Sequence, residues 1–287
     1  MKIDTHISIP FAYDIDGALE RLASDPVNTV HLENREIRIP MEEGNIVSLS
    51  GIGTTAAPSF ILKNAIDENQ VNQIKSIFHL DRPLDKIANH FKGTDLEQLF
   101  VDHAGTPLIQ SFSLYGTLMK SIIHQQLNLS FAHTLTMRFV ESFGSEQDGV
   151  WRYPNPETIA ALEVDDLRKL QFSGRKAEYV IGLSRSIVDG KLDLMKYTEM
   201  DDEEVTREMV IHRGIGPWTA QNFLMFGLGR PNLFPLADVG LQNALKQLWN
   251  LDRKPTADEM QAQFPSWSPY LSYAALYLWR SIEIAKA

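Results

Sequence analysis

Cysteine is absent from the 287 residues, which removes disulfides, thiolate zinc sites, iron–sulfur clusters and cysteine nucleophiles together. Long apolar runs are absent as well. None approaches the roughly 20 residues that a membrane-spanning helix needs, and the opening MKIDTHISIP lacks the apolar stretch of a signal peptide. These absences predict a cytoplasmic protein with no membrane partner. Positive charge is scarce: a net charge of −10 argues against holding nucleic acid with a broad basic surface, since phosphate neutralisation is the usual source of such affinity. Internal repeats and low-complexity segments are missing too, and a hydrophobic content of 44% describes a globular chain.

The charge is unevenly spread. Residues 1–100 hold 9 Lys and Arg against 15 Asp and Glu, which leaves 18 against 22 for the rest. Between Met209 and Leu251, Asp238 is the single acidic residue, while Arg213, Arg230 and Lys246 supply positive charge. A polyanion could approach there.

The hydrophobic pattern changes once along the chain. Alternating or β-branched runs at Thr5–Pro10, Thr29–Pro40 and Asn45–Ile52 are separated by Asp-Gly, Asp-Pro and Glu-Gly breaks, and they predict strands of an antiparallel sheet. Ile15–Leu22 and Val71–Phe78 have helical spacing. From about Pro107 the period is helical throughout, with Ser130 and Ser268 predicted as N-caps, a Thr256/Glu259 capping box, and Gly144 and Gly190 after helix ends. The class predicted is α+β: an N-terminal antiparallel-sheet lobe with helices over residues 1–93, then an all-α region over 94–287, monomeric, with no linker long enough to make the lobes independent.

The strongest local signal is Val210-Ile211-His212-Arg213-Gly214-Ile215-Gly216-Pro217-Trp218-Thr219-Ala220. Two glycines flank one apolar residue between helical segments, and Pro217 falls at the first position of the second helix, where its missing N–H costs nothing. This predicts a tight helical hairpin over about 202–228. Its turn amides and following helix N-terminus could face a phosphate, by backbone dipoles rather than lysines. A lone Gly-x-Gly also serves as a plain helix–helix turn. The second signal is Phe234-Pro235-Leu236-Ala237-Asp238-Val239, an isolated aspartate at the start of a helix. Asp238 reads as an N-cap, and a cap position also holds a carboxylate at the positive helix end, favouring its ionised form.

Together these motifs resemble the helix-hairpin-helix DNA glycosylases, and among them the bacterial DNA-3-methyladenine glycosylase II branch. The similarity extends over Ser121-Ile122-Ile123-His124-Gln125-Gln126-Leu127, Phe172-Ser173-Gly174-Arg175-Lys176-Ala177 and Pro269-Tyr270-Leu271-Ser272-Tyr273-Ala274. The resemblance implies two helical lobes around a cleft, and double-stranded DNA containing damaged bases as partner. It implies extrusion of an alkylated purine of the 3-methyladenine or 7-methylguanine class and hydrolysis of its N-glycosidic bond, leaving an abasic site. Asp238 is then the catalytic carboxylate, and Gln126 the wedge that fills the vacated stack, supported by Gln125. Trp218, Tyr270 and Tyr273 form the base pocket, where π-faces attract a cationic purine. Arg213, Gly214, Ile215, Gly216 and Thr219 hold the DNA backbone. No metal or organic cofactor is needed for hydrolysis, although the family's hairpin binds a monovalent cation through carbonyls matching Val210, His212 and Ile215. Asn222 departs from the aromatic found at its place in the branch.

Position 218 separates mechanisms. Members that also cut the strand, such as the 8-oxoguanine type, carry a lysine there to form a Schiff base with the sugar, whereas this chain has tryptophan. A non-catalytic helix-hairpin-helix DNA-binding protein is the other alternative, and an aspartate at the expected distance after the hairpin stands against it.

Overall fold

The computed structural model describes residues 3–42 and 44–283. Its front lobe is a five-stranded antiparallel sheet built from β1 (Ile3–Ser8), β2 (Thr29–His31), β3 (Glu36–Pro40), β4 (Ile46–Thr54) and β5 (Ala57–Ala65), in the order β1-β5-β4-β3-β2. Alternation decides which face is inward: Ile37, Ile39, Val47, Leu49, Phe60 and Leu62 are buried, while the residues between them face outward to varying degrees. Leu49 stands opposite both Ile37 and Leu62. The predicted strand at Thr29–Pro40 is two strands, parted by a helical turn at Leu32–Asn34 and by Arg35 in the left-handed region at φ 48°. Strand β5 was not anticipated, because the consecutive apolar residues Phe60-Ile61-Leu62 blur a period of two that only the burial restores.

Helices α1 (Ile15–Ala23) and α2 (Glu68–Ile77) lay their apolar faces against this sheet, and α3 (Leu84–His90) and α4 (Glu97–Asp102) follow. A second lobe begins with α5 (Leu114–His124) and α6 (Leu129–Phe143). Asn128, not Ser130, caps α6, since its side chain accepts the Phe131 N–H. Next comes a feature that helical periodicity conceals, a two-stranded ribbon of β6 (Ser145–Gln147) and β7 (Val150–Arg152) turning at Asp148-Gly149. The ribbon ties the lobes together: Arg38 donates to the Asp148 carbonyl at 2.7 Å, and Arg152 donates to those of Met41 and Asn45 at 2.6 and 3.0 Å.

Helices α7 (Pro156–Ala160), α8 (Val164–Lys169), α9 (Gly174–Val188), α10 (Asp202–Met209) and α11 (Pro217–Asn222) complete the second lobe. The chain then runs through a π turn at Phe223–Gly227 into α12 (Val239–Leu248), α13 (Ala257–Gln261), α14 (Phe264–Trp267) and α15 (Leu271–Glu283). The Thr256/Glu259 box closes α13 as expected. Ser268, predicted as an N-cap, instead ends α14, because its N–H still bonds back to Phe264, and the last helix starts only at Leu271.

The hydrophobic cores divide the chain differently from a single cut at residue 93. One core joins the front sheet to residues 225–278, and the other holds residues 115–224 together with Val27. Aromatic packing sets this division: Phe100 of α4 is stacked between Phe91 and Tyr277 of α15, at 4.1 and 3.7 Å between centroids. The Asp95 carboxylate adds a polar clasp, accepting the indole N–H groups of Trp267 and Trp249. The chain thus leaves its first lobe, builds a second and returns, which leaves a cleft between them.

His79, in the front lobe, is buried with its Nε2 unpartnered among the described residues. Burial and the neighbouring Arg82 push its pKa down to about 3. The folded value lies below the unfolded one, so the unfolded chain binds the extra proton and stability falls as pH drops from about 6.5 toward 3. Urea midpoints at pH 7 and 4.5 are expected to fall less for His79→Leu than for the parent chain; equal losses would remove His79 as the titrating group.

Candidate active site

Between the lobes lies a cavity of about 1060 Å³. Trp218, Asn222 and Phe226 face it from one side at intervals of four residues, the spacing that aligns side chains along one helix face. The run continues past the end of α11 because the π turn, marked by the Leu228 N–H to Phe223 carbonyl bond at 3.2 Å, prolongs it. Asn222 turns its amide back to the Trp218 carbonyl at 2.8 Å, so this nitrogen braces the helix. Trp151 and Tyr153 beside the ribbon form another wall.

At the hairpin, Gly214 has φ +102°, and a Cβ there would come within 2.6 Å of the Tyr179 ring. Glycine is required on both counts. Gly216 is different: its φ is −100°, it caps α11, and nothing lies within 4 Å of where its Cβ would be. Arg213 is exposed, stacks over Tyr179 and pairs with Glu178 at 3.0 Å.

The Gln125-Gln126 pair stands in a turn, because α5 ends at His124. Gln125 donates to the Gly214 carbonyl at 2.9 Å and to the Thr219 hydroxyl at 3.0 Å, fastening this turn to the hairpin. Gln126 is exposed and held at φ +54°, a left-handed conformation uncommon for a residue other than glycine. Lys176 supports the turn from below, donating to the Ile123 carbonyl at 2.6 Å, and burial lowers its pKa to about 8.

Asp238 is the N-cap of α12. Its Oδ1 accepts the Leu241 N–H at 2.9 Å and the Trp279 indole N–H at 3.0 Å, while its Oδ2 has no hydrogen-bond partner among the described residues. Gly240 leaves room for the indole, since a Cβ there would lie 3.3 Å from it. The Trp279 ring also packs at 5.9 Å against Phe226. Asp238 stands just behind the cavity lining and is linked to it through these two rings. One oxygen of this carboxylate is anchored and the other is left without a hydrogen bond among the described residues.

The model of the HhH-GPD superfamily base excision DNA repair protein family matches residues 119–269, which include the Gln125-Gln126 turn, the hairpin and Asp238. The chain belongs to this family. It is 52% identical over 282 residues to the YfjP protein of Bacillus subtilis (strain 168), covering 96% of this chain and 98% of that one. It is 32% identical over 289 residues to the DNA-3-methyladenine glycosylase of the same organism, covering 96% and 95%. The fold is shared with the solved 3-methyladenine DNA-glycosylase from Archaeoglobus fulgidus (TM-score 0.80, 22% identity, 96% and 97% covered). It is shared equally with the Clostridium acetobutylicum 8-oxoguanine glycosylase/lyase in complex with double-stranded DNA (TM-score 0.80, 16% identity, 100% and 99% covered). Fold alone therefore does not separate the two chemistries.

Within this HhH-GPD chain, not every residue expected at the site reaches it. Tyr273 is wholly buried in the first core, and Tyr270 packs its ring against His90 at 5.2 Å; neither lines the cavity. Both lie on the inner side of α15 and its approach, facing the sheet lobe. Trp279, two turns further along α15, brings an aromatic ring to the site instead, and nothing in the spacing of the Pro-Tyr-Leu-Ser-Tyr segment singled it out. Ile215 and Thr219 are buried by side chain, so that only their main-chain groups are available at the hairpin surface. Arg230 is spent inward on the carbonyls of Tyr197, Thr198 and Met200. The cavity also gathers Lys120, paired with Asp25, and His124, whose pKa falls to about 4 through burial and Lys120. Arg21 also lines it. No periodic pattern exposes these residues, which come from distant parts of the chain.

The two hairpin glycines should respond differently to substitution. Gly214→Ala is expected to cost about 1–3 kcal/mol from its positive φ, with the Tyr179 contact adding to this, whereas Gly216→Ala stays within ~0.5 kcal/mol of the parent. Thermal melts of both variants check this, and equal Tm values would contradict the geometry.

Proposed function

We propose that this chain is a monofunctional DNA N-glycosylase of base excision repair, acting as a cytoplasmic monomer on duplex DNA that contains alkylated purines of the 3-methyladenine and 7-methylguanine class. The observation that carries the reading is the Asp238 carboxylate, anchored through Oδ1 by Leu241 and Trp279 with Oδ2 free, beside a cavity whose hairpin position 218 is tryptophan.

Extruding a nucleotide costs a few kcal/mol of unstacking, least for a damaged base. Gln126, exposed on its left-handed turn and locked to the hairpin through Gln125, enters the vacated stack. The hairpin holds the flanking phosphate with the main-chain N–H groups of Gly214, Gly216 and Thr219 and with Arg213, and a monovalent cation at the Val210, His212 and Ile215 carbonyls assists. The His212 carbonyl accepts the Ile215 N–H at 3.1 Å and keeps a second lone pair for such a cation.

In the cleavage step the bond between the anomeric carbon and the base nitrogen breaks, and its electron pair leaves with the base. Alkylation at a ring nitrogen has already made the base cationic, so it departs neutral. The sugar becomes oxocarbenium-like, and the Asp238 carboxylate opposes that charge. Water then adds to the anomeric carbon, giving its proton to the carboxylate. No amine attacks the sugar, so the strand stays intact.

Asp238→Asn is expected to retain the fold and the affinity for lesion duplex while single-turnover release of 3-methyladenine drops by roughly 10²-fold or more. Borohydride should trap no covalent adduct with the parent enzyme; near-normal excision by the variant, or a trapped adduct, would overturn the mechanism. Trp218→Ala should slow excision by the equivalent of about 1–3 kcal/mol through lost base stacking, measured as single-turnover rates with 7-methylguanine duplex; an unchanged rate would place the base elsewhere in the cavity.

A further inference from the structure

Four arginines line the cavity, and three of them are engaged. Arg38 and Arg152 donate to carbonyls across the lobes, and Arg280 faces Asp14 at 3.7 Å and Glu20 at 3.6 Å. Arg21, on α1, is the exception. Its side chain makes no hydrogen bond or ion pair among the described residues, its Nη1 is fully buried, and its guanidinium lies 5.5 Å over the Phe226 ring. Glu283 and Arg280, which line the same cavity, act on it as charges of opposite sign without forming an ion pair with it.

A buried donor without an acceptor is costly to leave unsatisfied, and a guanidinium cannot relieve the cost by shedding its proton as a lysine can. A ligand that brings an acceptor into the cavity would satisfy this donor. The position says what part of that ligand it meets. Arg21 and Trp279 both contact Phe226, which lines the cavity, and Trp279 holds Asp238. A nucleotide that enters the cavity with its base against Phe226 would bring that base within reach of Arg21. Tyr153, another cavity residue, likewise has a buried hydroxyl without a partner. A phosphate would instead sit at the mouth, by the hairpin.

We infer that Arg21 is a specificity residue that donates a hydrogen bond to an exocyclic carbonyl oxygen of the extruded base, so that this enzyme prefers 6-oxo over 6-amino alkylated purines. The inference rests on the glycosylase reading above. A 6-amino group is itself a donor and meets the guanidinium donor to donor. Methylation at N7 places positive charge on hypoxanthine and adenine alike, and both carry hydrogen at C2, so this pair isolates the difference between a 6-oxo and a 6-amino group.

The test uses duplexes containing 7-methylhypoxanthine or 7-methyladenine in the same sequence, with single-turnover rates each divided by the spontaneous rate. The parent enzyme is expected to favour 7-methylhypoxanthine, and Arg21→Leu to shrink that preference roughly tenfold or more, mainly by slowing the 6-oxo lesion. Arg21→Gln, which keeps an amide donor, should retain part of it. Equal divided rates for the parent would overturn the inference without any variant, and so would an equal slowing of both lesions by Arg21→Leu. Weaker, salt-dependent binding of the Leu variant to undamaged duplex would reassign Arg21 to a phosphate and overturn it too. Failure of the parent to release either lesion would instead defeat the glycosylase reading itself, a result distinct from equal release of both.

Discussion

The return of the chain to its first core is the constraint on which the site depends. Phe100, buried between Phe91 and Tyr277, commits α15 to the front lobe, and the Asp95 clasp on Trp249 and Trp267 brings the end of α12 and α14 with it. Stacked aromatics buried this deeply resist displacement, because each carries a large apolar area and a defined ring geometry. Asp238 is therefore fixed to one lobe, while Trp218, the hairpin and the Gln125-Gln126 turn belong to the other or to its edge. The cleft thus has walls that come from separately packed cores. The β6–β7 ribbon, pinned through Arg38 and Arg152, holds the two walls at a set spacing.

An acidic protein that works on a polyanion must find its attraction locally. Here the means are main-chain dipoles and a handful of placed cations. Gly214 lets the turn pack directly on the Tyr179 ring, and Arg213 lies over that same ring. Gln125 then spends its amide on the hairpin rather than on DNA. The Gln125-Gln126 turn and the hairpin are thereby fastened to each other. Because these contacts use the backbone, net charge is a poor guide to this function.

The cavity mixes satisfied and unsatisfied charge. Lys120 is matched by Asp25 and Arg280 by two carboxylates, arrangements that limit the cost of burial. Asp238, outside the lining, keeps one oxygen without a hydrogen bond, and within the lining Arg21 and Tyr153 keep buried polar atoms without a partner among the described residues. Unmet polar capacity inside an otherwise satisfied cavity is where a ligand has most to contribute.

The sequence by itself determined the features that depend on near neighbours in the chain. Asp238 as a helix cap, Pro217 opening a helix, the Thr256/Glu259 box and the change from alternating to helical period all follow from local hydrogen bonding and from the pitch of each element. The hairpin and its aspartate were legible for the same reason, because a turn chemistry and a cap lie close together along the chain. Tertiary structure decided everything that depends on which face meets which. It put Tyr273 into the core and Trp279 on the carboxylate, although both lie on one apolar helix, because only the placement of α15 against the sheet sets which of its sides is inward. It turned Arg230 away from DNA, revealed the ribbon under a run read as helical, and left Arg21 unpaired in the cleft. A side chain's partner across a hundred or more residues is set by packing of whole lobes, and no short-range pattern carries that information.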